Sequence, residues 1–176
     1  MLQKIRTADW QLTADIAKLP GLYRPFWLAV TQLGGVIVVS LVIAVAIFLS
    51  YQAGQYTIAW VYVLTIIATG VNFLLKVQFR RRRPDTEYAK AMRTKTYSFP
   101  SGHAFGSMVT YGLSAMVLMP YVTTELHAAV WAAAVVIIGA IGFSRVYLGA
   151  HYVLDVVGGW VLGLVYLSIL RYSGLA

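Results

Sequence analysis

The sequence predicts an all-α fold: an integral-membrane bundle of about five transmembrane helices, preceded by an amphipathic helix in the membrane interface. Hydrophobic residues make up 60% of the 176 residues and charged residues only 11%, against about 25% charged residues in soluble domains. Residues 25–75 contain no Asp, Glu, Lys or Arg, and a run of that length accommodates two spans of about 20 residues each. We expect a single domain that covers residues 1–176.

Residues 1–20 carry the pattern of an amphipathic helix. Charged side chains interrupt the apolar core that a signal peptide would need. The helix is predicted to lie in the interface, and packing against the end of the bundle is the open alternative. Its apolar residues recur at helical spacing before Pro20 ends the run: Ile5, Ala8, Leu12, Ile16 and Leu19.

Five apolar runs follow, and each is long enough for a span. They cover residues 26–49, 58–75, 102–119, 128–146 and 151–170. Two glycine pairs with small-xxx-small spacing, Gly102/Gly106 and Gly159/Gly163, predict close helix packing. The long polar connection 77–101 is interpreted as an active-site loop. Because the chain has no cysteine, disulfides, thiolate metal sites and cysteine nucleophiles are excluded.

Three motifs lie where the predicted spans meet polar segments. In an antiparallel bundle, the ends of the second and fourth spans and the starts of the third and fifth lie on one membrane face. The motifs therefore converge there, the N-terminus shares their face, and the C-terminus lies on the other. The motifs are Lys76-x6-Arg83-Pro84, Pro100-Ser101-Gly102-His103 and Ser144-Arg145-x5-His151-x3-Asp155.

The first motif supplies positive charge. Arg83 offers a planar fork that matches phosphate oxygens, while Lys76 acts as a compact point charge. A basic run alone is more typical of a juxtamembrane cluster that contacts lipid head groups. The role of the neighbouring residues 80–82, all Arg, stays open between binding a second phosphate and contacting phospholipid.

The second motif has the features of a helix start. Backbone N–H groups at a helix N-terminus bind anions, and Gly102 permits a ligand to approach the backbone closely. Ser101 adds a hydroxyl donor, and His103 in the first turn can exchange a proton with a phosphate oxygen or a leaving group. A capped helix with a solvated histidine is the alternative interpretation.

The third motif places His151 and Asp155 four residues apart, on one face of a helix. A carboxylate within the membrane needs a partner, and the ring N–H of His151 can serve, which leaves the other ring nitrogen free to attack. Arg145 supplies a further cation, and a purely structural His–Asp pair is the alternative. No metal site is predicted, because the surrounding positive charge of Lys76, Arg83 and Arg145 disfavours zinc.

Together the motifs resemble the signature of the type 2 phosphatidic acid phosphatase superfamily, K-x6-R-P, P-S-G-H and S-R-x5-H-x3-D, at every fixed position. The resemblance implies that His151 is the nucleophile that forms a phosphohistidine and that Asp155 orients it. It implies that His103 is the general acid that later activates water, and that neither metal nor other cofactor is needed. The implied phosphate-binding residues are Lys76, Arg83, Ser101, Gly102 and Arg145, and the supporting residues are Pro84, Pro100 and Ser144.

These observations predict a metal-independent lipid phosphatase whose partners are a lipid phosphate and the bilayer. Undecaprenyl pyrophosphate, phosphatidylglycerophosphate and phosphatidic acid are the preferred substrates, and a lipid A phosphate is the alternative. A non-enzymatic protein that binds or transports anionic lipids is a second class, and a bis-histidine haem protein is a third. Nucleic acid is not an expected partner, because the positive charges lie beside membrane spans.

Two arguments about orientation disagree. Of the 14 Lys and Arg residues, all except Arg171 fall on the motif face, and the positive-inside rule would therefore place the site in the cytoplasm. Bacterial members that act on cell-envelope lipids favour the opposite orientation. Because several of these cations have a catalytic role, we expect a protein of the cell membrane whose active site and N-terminus lie outside the cytoplasm.

Overall fold

The structure, a computed structural model, describes residues 2–92 and 96–175. Residues 93–95 of the predicted 77–101 loop lie outside this part, as do both terminal residues of the predicted domain. All regular secondary structure in the described part is helical, which confirms the predicted fold class. The helices are α1 Leu2–Ala17, α2 Arg24–Gln32, α3 Val36–Gln52, α4 Tyr56–Phe79, α5 Glu87–Ala91, α6 Gly102–Leu118, α7 Thr124–Tyr147 and α8 Val153–Tyr172.

The chain is a multi-pass membrane protein. Within the described residues, four stretches are long and apolar enough to cross a membrane: Gly21–Gln52, Tyr56–Phe79, Thr124–Tyr147 and Val153–Tyr172. The remaining predicted span corresponds to α6, which has 17 residues and is surrounded by other helices. Large aliphatic side chains such as Ile37, Val136 and Ile169 are exposed on the outer surface, where lipid would contact them.

Helix α6 is the centre of the bundle and packs against α3, α4, α7 and α8. A Cβ atom at Gly159 would lie 2.6 Å from the Ser101 carbonyl oxygen, and one at Gly163 would lie 2.6 Å from the Met108 side chain. Close packing was therefore correctly predicted for this pair. The prediction was wrong for Gly102 and Gly106. A Cβ atom at Gly102 would meet no atom closer than 3.7 Å, and one at Gly106 would meet no atom within 4 Å.

The predicted span 26–49 is not one helix. It divides into α2 and α3 at residues 33–35, where the N–H groups of Gly34 and Gly35 donate to carbonyls three residues back, over 3.1 and 2.9 Å. This tight turn brings Gly34 against α7, where a Cβ atom would lie 2.4 Å from the Ile141 side chain. Hydropathy did not predict this break, because the run is uniformly apolar although its backbone changes conformation at residues 33–35.

Helix α1 lies across the end of the bundle, where α7 ends and α8 begins. It docks through Asp9 and Thr13, which are buried, and through Ile16, which packs against Val146 and Val156. The rest of the predicted apolar stripe is exposed. Helix α1 therefore packs on the end of the bundle, as the alternative interpretation predicted. The apolar side of α1 is left uncovered.

Candidate active site

The three motifs meet at one end of the bundle, around a cavity of about 650 Å³. The contributing segments are the end of α4, the segment after it, the first turn of α6, the end of α7 and the connection between α7 and α8. The predicted site residues that line the cavity are Lys76, Arg83, Gly102, His103, Arg145 and His151.

His151 presents one ring nitrogen to the cavity side and the other to a carboxylate. Its Nε2 atom lies 3.0 Å from Nη1 of Arg83, and because a guanidinium only donates, Nε2 carries the lone pair. The ring proton is therefore on Nδ1, which lies 3.4 Å from Oδ2 of Asp155. Burial lowers the pKa of His151 to about 3, against the opposing effect of Asp155, and the ring is neutral at physiological pH.

Asp155 is fully buried and holds more partners than the sequence predicted. Its carboxylate accepts hydrogen bonds from Nη1 of Arg81 at 2.8 Å, from the backbone N–H of Tyr152 at 2.9 Å and from the Ser98 hydroxyl. The Ser98 oxygen also lies 3.3 Å from Nδ1 of His151. Ser98 therefore belongs to the site, although it falls outside the three motifs.

Arg81 was also missed as an individual residue. It is one of four consecutive arginines, and nothing in that run distinguishes it from its neighbours. In the structure its guanidinium bridges Asp155 and Asp9 and lies 4.3 Å from the centroid of the Tyr152 ring. Arg81 is not one of the residues that line the cavity.

Lys76 lies at the end of α4 and is buried, with 7% of its surface exposed. Its ammonium donates to the carbonyl oxygens of Tyr97 at 3.1 Å, Ser98 at 3.5 Å and Pro100. These bonds tie the segment before α6 to α4. They also place the positive charge beside the N-terminus of α6.

Two arginines complete the positive charge. Arg83 donates to the carbonyl and hydroxyl oxygens of Thr96 at 2.9 and 3.1 Å, and burial together with the charge of Arg145 lowers the pKa of its guanidinium. Arg145 is 2% exposed and donates to the hydroxyl of Thr31 at 2.7 Å. Its buried Nε atom has no hydrogen-bond partner in the described part of the chain.

These three cations lack anionic partners of their own. Among the described residues, no carboxylate lies within salt-bridge distance of Lys76, Arg83 or Arg145. Lys76 and Arg145 are buried, and Arg83 is half-buried. Cations in such surroundings without counter-charges are costly, and an anion in the cavity between them would offset that cost. No group of three or more His, Cys, Asp or Glu side chains that could hold a metal ion occurs within the described ranges.

The second motif divides between cavity and helix cap. His103 lines the cavity from the first turn of α6, with Gly34 packed against its ring. Ser101 is fully buried, and its hydroxyl accepts from the Ala104 N–H at 3.4 Å as the N-cap of α6. The structure therefore does not bring this predicted phosphate-binding hydroxyl to the cavity.

The predicted supporting residues contribute to local structure. Pro100 is fully buried before the start of α6. Ser144 donates to the Ile141 carbonyl oxygen at 2.6 Å within its own helix, and the Pro84 carbonyl accepts from the Thr86 N–H at 3.0 Å. None of these three residues lines the cavity.

The turn between α7 and α8 fixes the distance between Arg145 and His151. The backbone N–H groups of Ala150 and His151 both donate to the Arg145 carbonyl oxygen, at 2.9 and 3.2 Å. Gly149 has a φ of +75°, and a Cβ atom there would lie 2.7 Å from the Thr86 side chain. Glycine is required because it adopts positive φ at little cost and leaves room for that contact.

The cavity continues as a groove between α3 and α4. Asn72, one helical turn before Lys76, also lines it. Asn72 is 4% exposed, and its buried Nδ2 atom has no hydrogen-bond partner among the described residues. The apolar lining consists of Val36, Val39, Ile43, Ile66 and Phe73.

The model of the PAP2 superfamily matches residues 57–174. The chain belongs to the PAP2 superfamily. This confirms the family predicted from the motifs, and the matched region contains every predicted site residue. The chain is 31% identical over 167 residues to a protein named phosphatidylglycerophosphatase B from Bacillus subtilis, with 89% of this chain and 80% of the relative covered.

Other comparisons support the same family. Undecaprenyl-diphosphatase of Sulfolobus acidocaldarius is 34% identical over 104 residues, which cover 56% of this PAP2 chain and 46% of the relative. The crystal structure of the transmembrane PAP2-type phosphatidylglycerolphosphate phosphatase from Bacillus subtilis superposes with a TM-score of 0.85 at 25% identity, covering 97% of this chain and 86% of that chain. That of Aquifex aeolicus LpxE superposes with a TM-score of 0.65 at 19% identity, with 91% and 92% covered.

The last similarity shows the fold alone. The family and its phosphatase relatives confirm the prediction that this PAP2 chain is a phosphatase.

Proposed function

We propose that this PAP2 phosphatase removes a phosphate group from a membrane lipid through a phosphohistidine on His151. The observation that carries the proposal is the set of buried or half-buried cations without carboxylate partners, which surround one cavity beside the lone pair of His151. A phosphate supplies the missing negative charge. The apolar groove between α3 and α4 leads away from the same cavity and has the lining that a lipid chain requires.

The reaction proceeds in two steps. Nε2 of His151 attacks phosphorus, and the bond between phosphorus and the ester oxygen breaks while the leaving oxygen takes a proton from His103. His103 carries this proton once the bound phosphate offsets the charges of Lys76, Arg83 and Arg145 that surround the ring. The Nδ1–H of His151 donates to Asp155, which stabilises the positive charge that develops on the ring. His103 then accepts a proton from water as the water oxygen attacks phosphorus, which releases phosphate and restores His151.

The cations stabilise the charge on the transferring group. Phosphoryl transfer requires positioning and stabilisation of the equatorial oxygens, which Lys76, Arg83 and Arg145 provide without a metal or other cofactor. Arg83 exchanges its bond to Nε2 of His151 for a phosphate oxygen when the substrate enters. The Gly102 backbone contributes the N-terminus of α6. Ser101 supports that N-terminus as its cap. A direct hydrogen bond from Ser101 to phosphate requires the hydroxyl to release the Ala104 N–H.

A single phosphate fits the site better than two. Arg80 and Arg82 are exposed, Arg81 is held by two carboxylates, and none of the three lines the cavity. We therefore place phosphatidylglycerophosphate first among the substrates, with phosphatidic acid as a related monoester. Undecaprenyl pyrophosphate is the second candidate, which the Sulfolobus relative favours.

Phosphate release from a panel of lipid phosphates, by detergent-purified protein with a chelator present, tests the proposal. Wild type should act on a monoester, and His151→Ala should be inactive. His127→Ala is the matched control, because His127 binds the Met119 carbonyl oxygen near the other end of the bundle, and it should retain activity. A folded wild type inactive on every lipid, lipid A phosphate included, would favour lipid binding or transport instead.

The active site and the N-terminus are proposed to face the exterior of the cell. Because the chain has no cysteine, single cysteines report orientation directly. In intact cells an impermeant thiol reagent should label Asp15→Cys on α1 and not Ser173→Cys after α8. The reverse labelling would place the site in the cytoplasm.

A further inference from the structure

The guanidinium of Arg81 is shared between two buried carboxylates. Nη1 donates to Oδ1 of Asp155 at 2.8 Å, and Nη2 donates to Oδ2 of Asp9 at 2.5 Å. Asp9 belongs to α1, far from the motifs in sequence, and its side chain is 1% exposed. One arginine therefore connects the N-terminal helix to the carboxylate that contacts His151.

The burial of Asp9 needs a reason, because a carboxylate on a surface helix would ordinarily point to solvent. Oδ1 of Asp9 accepts from the Leu154 N–H at 2.9 Å, and the Thr13 hydroxyl accepts from the Val153 N–H at 3.2 Å. These are N–H groups of the first turn of α8, which have no partner within their own helix. Helix α1 therefore caps the turn that carries Asp155.

Asp9 also limits what Arg81 does to Asp155. A guanidinium offers two parallel donors and pairs with a single carboxylate in a fork. As long as Asp9 holds Nη2, the fork formed by Nη1 and Nη2 cannot be directed at Asp155 alone. Without the charge on Asp9, Arg81 is free to turn both donors onto Asp155 and to draw that carboxylate away from Ser98 and His151.

We propose that Asp9 is a positioning residue for catalysis, which acts through Arg81 to keep Asp155 aligned with His151. This inference rests on the proposed role of His151 as nucleophile. It assigns α1 a second function besides closing the end of the bundle. It also gives one arginine of the basic run a role that its neighbours do not share.

Kinetics of Asp9→Asn separate positioning from docking. Asparagine keeps the shape and an acceptor for the Leu154 N–H, and it removes the charge that holds Arg81. We expect kcat to fall about tenfold, which corresponds to about 1.4 kcal/mol of lost transition-state stabilisation, and KM to change less than about twofold. Two controls on α1 should keep the wild-type kcat: Thr13→Val, which removes only the cap on Val153, and Asp15→Asn, which removes an exposed pair with Lys18.

A double-mutant cycle with Arg81→Met tests whether the effect passes through Arg81. We expect Asp9→Asn to change kcat less than about twofold when position 81 is Met, because the groups then no longer interact. An equal loss in both backgrounds, or an equal loss in Thr13→Val, would overturn the proposal and leave α1 with a structural role. If Asp9→Asn does not fold, two measurements remain. A loss of kcat in the double variant relative to Arg81→Met alone would show an effect that does not pass through Arg81 and would overturn the proposal. The thermal stability of Thr13→Val shows how much the docking of α1 contributes to folding.

The proposed function is tested separately in the same assay. A wild type that is inactive, or that retains activity as His151→Ala, contradicts the mechanism itself. An active, His151-dependent wild type with an Asp9→Asn variant of unchanged kcat contradicts only the role of Asp9.

Discussion

Replacement of Ser98 by alanine tests the site geometry most directly, because no motif contains this residue. The substitution removes the hydroxyl that donates to Asp155 and that lies 3.3 Å from Nδ1 of His151. A hydrogen bond to a charged group contributes about 1.5–3 kcal/mol. Arg81, the Tyr152 N–H and His151 still donate to the carboxylate, so we expect a loss at the lower end of that range.

A loss of about 1.4 kcal/mol of transition-state stabilisation corresponds to a tenfold lower rate. We therefore expect kcat of Ser98→Ala to be about one tenth of the wild-type value, measured as phosphate release and, in a single turnover, as formation of the phosphohistidine. Ser144→Ala is the control, because this motif serine donates only within its own helix and should change kcat less than about twofold. Wild-type kcat in Ser98→Ala, or an equal loss in both variants, would refute the geometric argument.

Three further perturbations probe charge, protonation and backbone. Phosphate at about 100 times its Kd should stabilise the wild type by about 2.7 kcal/mol and Arg145→Met by much less, as unfolding in detergent would show. The pKa of His151 is about 3 in the folded protein against 6.5 ordinarily. Between these two pH values only the unfolded state binds the proton. The free energy of unfolding is therefore greatest above pH 6.5 and falls below that pH by at most about 1.4 kcal/mol per pH unit. Gly149→Ala should cost about 1–2 kcal/mol for its positive φ, and more for the contact with Thr86.

Each of these perturbations has a matched control. Arg171→Met, at the other end of the bundle, should keep the stabilisation by phosphate. His151→Gln has no titrating ring and should show a smaller decrease in stability between pH 6.5 and 5.5 than the wild type. Gly54→Ala carries a φ of +70° with no atom within 4 Å of the added Cβ, so it should cost less than Gly149→Ala. Equal effects in any variant and its control would contradict the corresponding argument.

The sequence predicted the helical bundle and the convergence of its motifs because both follow from properties that act along the chain. Hydropathy sets the number of spans, and antiparallel neighbours bring the end of α4, the start of α6, the end of α7 and the start of α8 together. The interruption at Gly34 escaped prediction, because it depends on a contact with Ile141 in a helix about 100 residues away. Hydropathy carries no information about that contact.

The residues missed at the site share a physical cause. Ser98 and Arg81 lie in the segment between α4 and α6, where no periodicity fixes the direction of a side chain. After α4, Arg80 adopts a left-handed conformation with a φ of 48°. Beyond this turn, Arg81 and Arg83 contact Asp155 and His151, whereas Arg82 is exposed. The position of the Ser101 hydroxyl could not be predicted either, because the motif identifies the residue but not that its hydroxyl accepts from Ala104.

Two sets of glycines have different consequences for the groove in which we propose that the lipid chain lies. Gly70 and Gly106 line the groove, and a Cβ atom at either would have no neighbour within 4 Å. A larger residue at these positions would narrow the passage for a branched isoprenoid chain more than for a straight acyl chain. Gly159 and Gly163, in contrast, are enclosed by α6, so chain selectivity can change during evolution without repacking the helices that hold the bundle together.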